Sequence, residues 1–163
     1  NYSCETIGPK RKRDEVDDLK QKLLKSIAID FDQGMFDSVF SSEHIDVNFK
    51  YDKGMTALMH AAKNGNYDFV RELSNHRKGK EIKVNLQDEK GMTALMYAAE
   101  KDYIYIAQYL TKFKDIDFTI RDFGRTALDY TNDESRVRSH IKKIIRNEKN
   151  KQRARESWES SRS

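Results

Sequence analysis

The feature that most limits the fold is a short segment that recurs. Gly54 to Ala62 reads GMTALMHAA, Gly91 to Ala99 reads GMTALMYAA, and Gly124 to Tyr130 reads GRTALDY. The glycines lie 37 and then 33 residues apart, and a period of roughly 20–50 residues marks a chain built from stacked supersecondary units. A second anchor stands upstream of each glycine: Val47-Asn48, Val84-Asn85 and the degenerate Phe118-Thr119. Downstream, Tyr67, Val70 and Leu73 in one copy and Ile104, Ala107 and Leu110 in the next follow helical spacing.

Composition agrees with an array. Of 163 residues, 37% are hydrophobic and 36% charged, which is thin for a round globule but tolerable where each unit buries its apolar face only against its neighbours. Cys4 is the single cysteine, so an internal disulfide and a Cys-based zinc site are excluded, and a reducing setting is the simpler expectation. No apolar run approaches the ~20 residues a bilayer span requires, and the N-terminus lacks an apolar stretch of signal-peptide type. The expectation is an intracellular chain, cytoplasmic or nuclear, without membrane insertion.

The registered anchors resemble the ankyrin repeat family, whose unit is a turn or hairpin followed by two antiparallel helices with a T-P-L-H-x-A signature. The resemblance is strong from Val47 to Tyr130 and extends to Leu19–Ile45 and Asn132–Ile145. It implies an all-α fold, a solenoid of stacked helix-turn-helix units with hairpin or turn connections, helical caps and charged tails. In that setting Gly54, Gly91 and Gly124 sit where the chain turns tightly into a helix. Thr56, Thr93 and Thr126 supply N-cap hydroxyls, and Ala61-Ala62 and Ala98-Ala99 keep the inner helices slim. Ala57, Ala94 and Ala127 replace the family's proline, and Met59, Met96 and Asp129 its histidine, which leaves the fold intact because alanine and methionine are good helix formers.

The units follow in order. Residues 1–18 read as a flexible tail with a basic and then an acidic cluster, and 19–46 as a degenerate N-terminal capping repeat carrying Leu19, Leu23, Ile27, Phe31, Phe36, Val39 and Phe40. Residues 47–83 form a repeat with a lengthened polar loop after Leu73, 84–118 a second repeat, 119–146 a degenerate C-terminal cap closed by Val137, Ile141, Ile144 and Ile145, and 147–163 a basic, polar tail.

No catalytic motif is present. His44, His60, His76 and His140 have no pairing that a helix could converge on a metal, and the seven glycines form no phosphate loop. The chain reads as a non-enzyme with no cofactor and no metal. His60, Tyr97 and Tyr130 share one repeat position and would line up along the inner helices, either as inter-repeat packing or as a ligand-facing stripe.

The family binds partners across hairpin tips and inner helices. Carried onto this chain, the partner-binding positions are Tyr51, Asp52, Lys53 and Met55 at the first tip, Glu89, Lys90 and Met92 with Asp88 at the second, and Asp122, Phe123 and Arg125 with Arg121 at the third. Lys63, Asn64, Glu100 and Lys101 are the exposed inner-helix positions. The mixture favours another protein as partner, with Tyr51, Met55, Met92, Phe123 and Arg125 as anchors, since aromatic, Met and Arg residues dominate interface energetics.

Charge concentrates at the C-terminal end. Between Arg136 and Arg155, nine Lys or Arg face one acid, Glu148, although the whole chain is only +4. Lys142, Lys143, Arg146, Lys149, Lys151, Arg153 and Arg155 are the candidate basic contacts. They read as a solvated helix extension, a contact for an acidic protein surface, or a nucleic-acid contact. The cluster Lys10, Arg11, Lys12 and Arg13 looks like a short nuclear-import motif, diluted by Asp14, Glu15, Asp17 and Asp18. The leading function is a scaffold or adaptor, or a subunit of a larger assembly. The alternatives are a nuclear or ribonucleoprotein-associated factor using the basic end, and an inhibitor that occludes an enzyme.

Overall fold

The computed structural model describes residues 9–28, 31–43, 45–76 and 81–163. These form seven α-helices and no extended strand: α1 (Pro9–Ala28), α2 (Gln33–Phe40), α3 (Ala57–Asn64), α4 (Tyr67–Asn75), α5 (Ala94–Glu100), α6 (Ile104–Leu110) and α7 (Arg136–Ser161). The fold is an all-α repeat solenoid. Its inner row is α1, α3, α5 and a 3-10 turn over Ala127–Tyr130, each packed on the next, and α4, α6 and α7 follow one another in the outer row.

The repeated residues build the repeated elements. Gly54, Gly91 and Gly124 all adopt positive φ. The hydroxyls of Thr56 and Thr93 accept from the amides of Met59 and Met96 at 3.3 Å, and an N-cap of this kind contributes about 1 kcal/mol. Ala61, Ala62, Ala98 and Ala99 are buried, so α3 and α5 approach closely. In the third unit Asp129 accepts from both the amide and the hydroxyl of Thr126, at 2.7 and 2.9 Å. There the inner helix is reduced to a single 3-10 turn.

Neighbouring repeats are stitched by asparagine. Asn48 donates to the carbonyl of Glu81 at 2.9 Å and accepts from the amide of Lys83 at 2.8 Å. Asn85 repeats this one unit later, donating to the carbonyl of Asp115 and accepting from the amide of Asp117 at 2.9 Å. One core runs through the stack, from Leu23 and Ile27 on α1 to Val137 and Ile141 on α7. Around Phe36 it is aromatic, with Phe40 stacked at 4.3 Å and Phe69 edge-on at 5.6 Å.

The N-terminal segment differs from the sequence expectation. The supposed flexible tail through residue 18 is helical from Pro9, a residue suited to a first helical turn because its missing N–H would have no partner there. Lys10, Arg11, Lys12 and Arg13 thus lie on helical backbone, not on the extended chain an import motif presents. At the other end α7 continues to Ser161, in line with the reading of the basic segment as a solvated helix extension. From Arg146 onward every residue of α7 is exposed, and the helix is supported by its own pairs, Lys151 with Glu148 at 2.8 Å and Gln152 with Glu156 at 2.9 Å. Cys4, His44 and the tip of the lengthened loop, 77–80, lie outside the described residues.

Candidate partner-binding face

The tips are held together by bonds to main-chain carbonyls of the neighbouring turn. Lys50 donates through Nζ to the carbonyl of Gln87 at 2.7 Å, and Gln87, in the equivalent position, donates to the carbonyl of Arg121 at 3.0 Å. The amide of Glu89 bonds the carbonyl of Lys53 at 3.1 Å. These bonds hold the three turns side by side and fix the spacing of whatever they display.

Each turn is also tied to its own inner helix. The Tyr97 hydroxyl donates to the Asp88 carboxylate, and the Tyr130 hydroxyl to the Asp122 carboxylate. Burial and the bond to Asp88 push the Tyr97 phenol far above its ordinary value, and the same causes raise Tyr130 to about 12. In the first repeat Tyr51 and His60 occupy the corresponding places and meet ring to ring at 5.7 Å. Their Oη and Nδ1 atoms are buried with no protein partner. Tyr97 is itself buried, and its hydroxyl is engaged by its own turn, so the column supports packing in preference to a ligand-facing stripe.

The displayed residues are fewer than the sequence suggested. Asp52, Lys53, Glu89, Lys90, Lys63, Asn64, Glu100, Lys101, Phe123 and Arg125 are exposed. Met55 and Met92 are corrections: each is buried, 5% and 7% exposed, because the residue after the turn glycine enters the helix in extended backbone with its side chain directed into the stack. Asp122 is a third correction at 3% exposed, its carboxylate turned inward to Tyr130. Tyr51 is half-buried between Phe49 and His60.

Phe123 stands apart. It is 88% exposed, the most open large apolar side chain among the described residues, and its φ of 38° is a conformation that bulky residues rarely adopt. Arg125 beside it is pre-positioned, with its guanidinium 4.6 Å from the Tyr130 ring centroid and 3.4 Å from Asp122.

Sequence reasoning missed an aromatic patch on the outer helices. The Tyr67 ring lies 5.9 Å from Tyr105 and 5.5 Å from Tyr109, with Arg71 over Tyr67 and Lys112 over Tyr109. Tyr105 and Tyr109 stand four residues apart on α6, and that spacing was the available signal. The candidate basic contacts Lys142, Lys143, Arg146, Lys149, Lys151, Arg153 and Arg155 are all exposed on α7. Among the described residues no group of three or more His, Cys, Asp or Glu could hold a metal ion, and no helix is long and apolar enough to cross a membrane.

Residues 26–130 match the family described as ankyrin repeats (3 copies), and the chain belongs to that family. Its members are modules for protein–protein interaction. No curated protein matches the chain.

Proposed function

We propose that this protein is a non-enzymatic scaffold, adaptor or assembly subunit that holds a protein partner across its turn tips and inner helices. The observation that carries this reading is Phe123: a large apolar side chain held almost fully open, in a left-handed conformation, at the tip of a turn braced by Asp122, Tyr130 and Arg125. Exposed apolar surface is costly and strained backbone persists only where its surroundings fix it, a combination that favours a contact site. The flanking exposed charges of both signs, Lys53, Glu89, Lys90 and Lys101, supply the polar rim such an interface has.

The experiment is affinity purification with the wild-type chain and with Phe123→Ala and Lys90→Glu. The partner is expected to stay bound at high salt and to be retained at least fivefold less by Phe123→Ala, about 1 kcal/mol, with unchanged helicity by circular dichroism. Equal retention by the variant counts against the proposal.

A further inference from the structure

The second surface lies at the C-terminal end, away from the tips. A groove of about 780 Å³ runs between α7 and the turn that follows α6. Its floor is apolar: Phe113, Ile116, Phe118 and Ile145 are half-buried and pack against the edge of the core. Its rim is basic, with Lys112 and Lys114 on one bank and Lys149, Lys151 and Arg155 on α7.

The rim's charge is not matched from within. Of the two acids at the groove, Glu148 is paired with Lys151 at 2.8 Å, and Asp117 accepts from the amide and hydroxyl of Thr119 at 2.8 and 2.6 Å. Lys114 and Lys149 make no ion pair among the described residues, and Arg155 reaches Glu148, already paired with Lys151, only through a longer-range attraction. The bank formed by α7 persists although no residue of that helix beyond Ile141 is fully buried. The groove therefore joins apolar surface with an excess of positive charge along α7.

We infer that this groove is a docking site for an acidic amphipathic helical segment of a protein partner, its apolar side chains on the Phe113–Ile116–Phe118–Ile145 floor and its carboxylates on Lys114, Lys149 and Arg155. The volume lies within the range of roughly 300–1,000 Å³ typical of built sites, and an apolar helix face in an apolar groove is a recurrent mode of peptide recognition. Charge complementarity selects the acidic segment. Nucleic acid fits less well: a single strand needs free stacking platforms, whereas these rings pack against the core edge, and a duplex needs cations alone and leaves the apolar floor without a partner. Asp17 and Asp18 of α1 are poor internal candidates, since they already pair with Lys20 and Lys22 at 3.5 and 2.8 Å.

The test is panning of a random 16-residue peptide display library on the full-length chain, followed by fluorescence anisotropy of the enriched peptides. Enriched sequences are expected to carry net negative charge with apolar residues at helical spacing. Their affinity should fall at least tenfold in Lys149→Glu/Arg155→Glu, whose side chains are exposed, and severalfold in Phe113→Ala. Phe123→Ala should leave it unchanged, which separates this site from the tip face. Peptides without acidic bias, no enrichment, affinity insensitive to the charge reversal, or displacement of the peptide by a 20-nucleotide RNA or DNA duplex at equal or lower concentration would each overturn the inference. So would self-association of the wild type abolished by the same reversal, which assigns the groove to a second copy.

Discussion

The Tyr97 hydroxyl donates to the carboxylate of Asp88, nine residues upstream in the turn that introduces its helix. The same carboxylate accepts from the amides of Lys90 and Met92 at 2.9 and 3.0 Å. One buried acid thus closes the turn and pins it to the helix that follows. Tyr97→Phe removes the hydroxyl without opening a cavity and leaves Asp88 short of a donor. The expected loss is about 1–3 kcal/mol, read from urea denaturation. Tyr130→Phe should cost less, because Tyr130 is only half-buried whereas Tyr97 is 4% exposed.

Asn85→Ala removes two of the bonds that join the second repeat to the third turn and leaves that of Gln87 to Arg121 in place. We expect a loss of about 1–3 kcal/mol, and amide exchange should accelerate in the third unit more than in the first, since units of a solenoid couple through nearest neighbours. Uniform acceleration along the chain would contradict this.

Two glycines with similar φ should respond differently to alanine. Gly65 has φ +77° and an added Cβ would meet Tyr103 Cζ at 2.9 Å, whereas Gly124 has φ +91° and nothing within 4 Å. Gly124→Ala should cost only the left-handed strain, about 1–2 kcal/mol. Gly65→Ala should cost more, because the half-buried Tyr103 ring must move as well.

Acid should destabilise the stack in two steps. His60 and His140 are held below their ordinary value of 6.5, first by burial and then by Lys63 and Lys143, with Asp52 opposing at His60. The folded state therefore disfavours the charged ring. Stability is full above the ordinary histidine value of 6.5 and declines as pH falls through and below it. Asp102, lowered by its bonds to Ser135 and Val137, and Asp129, lowered by Thr126, are depressed below 3.8, so their contribution is lost only at more acid pH. Tm measured against pH should show the first decline, and His60→Gln/His140→Gln should flatten it.

Deleting 147–163 should leave stability within about 0.5 kcal/mol, as for changes confined to exposed surface, because every residue removed is exposed. Mean residue ellipticity should fall while the denaturation midpoint holds.

The stack itself was legible because its determinants are local. Thr56 and Thr93 cap the helices they precede, and the turn glycines take the positive φ that their position demands. Tip exposure was less legible, since a turn has no periodicity to say which side chains face inward, and Met55 and Met92 were misplaced for that reason. The partners of Asp102 were hidden as well. At φ 53° it fills the left-handed position held by Gly65 one repeat earlier, and it reaches 33 residues onward to Ser135 at the start of α7. The groove beside α7 was invisible for a similar reason: its banks, Lys112 and Lys114 against Lys149, Lys151 and Arg155, lie 35–43 residues apart, and the charge run that forms one wall reads from sequence as solvent-facing polymer.

The asparagine stitches address only main-chain atoms of the next unit, Glu81 and Lys83 for Asn48 and Asp115 and Asp117 for Asn85. A bond to a carbonyl or an amide places no demand on which side chain its owner carries. Such a joint is generic, like a standard thread, so gene duplication or loss of a whole unit leaves compatible ends without compensating mutations. The surface residues of each unit are then free to diversify under selection for recognition while the joints stay interchangeable.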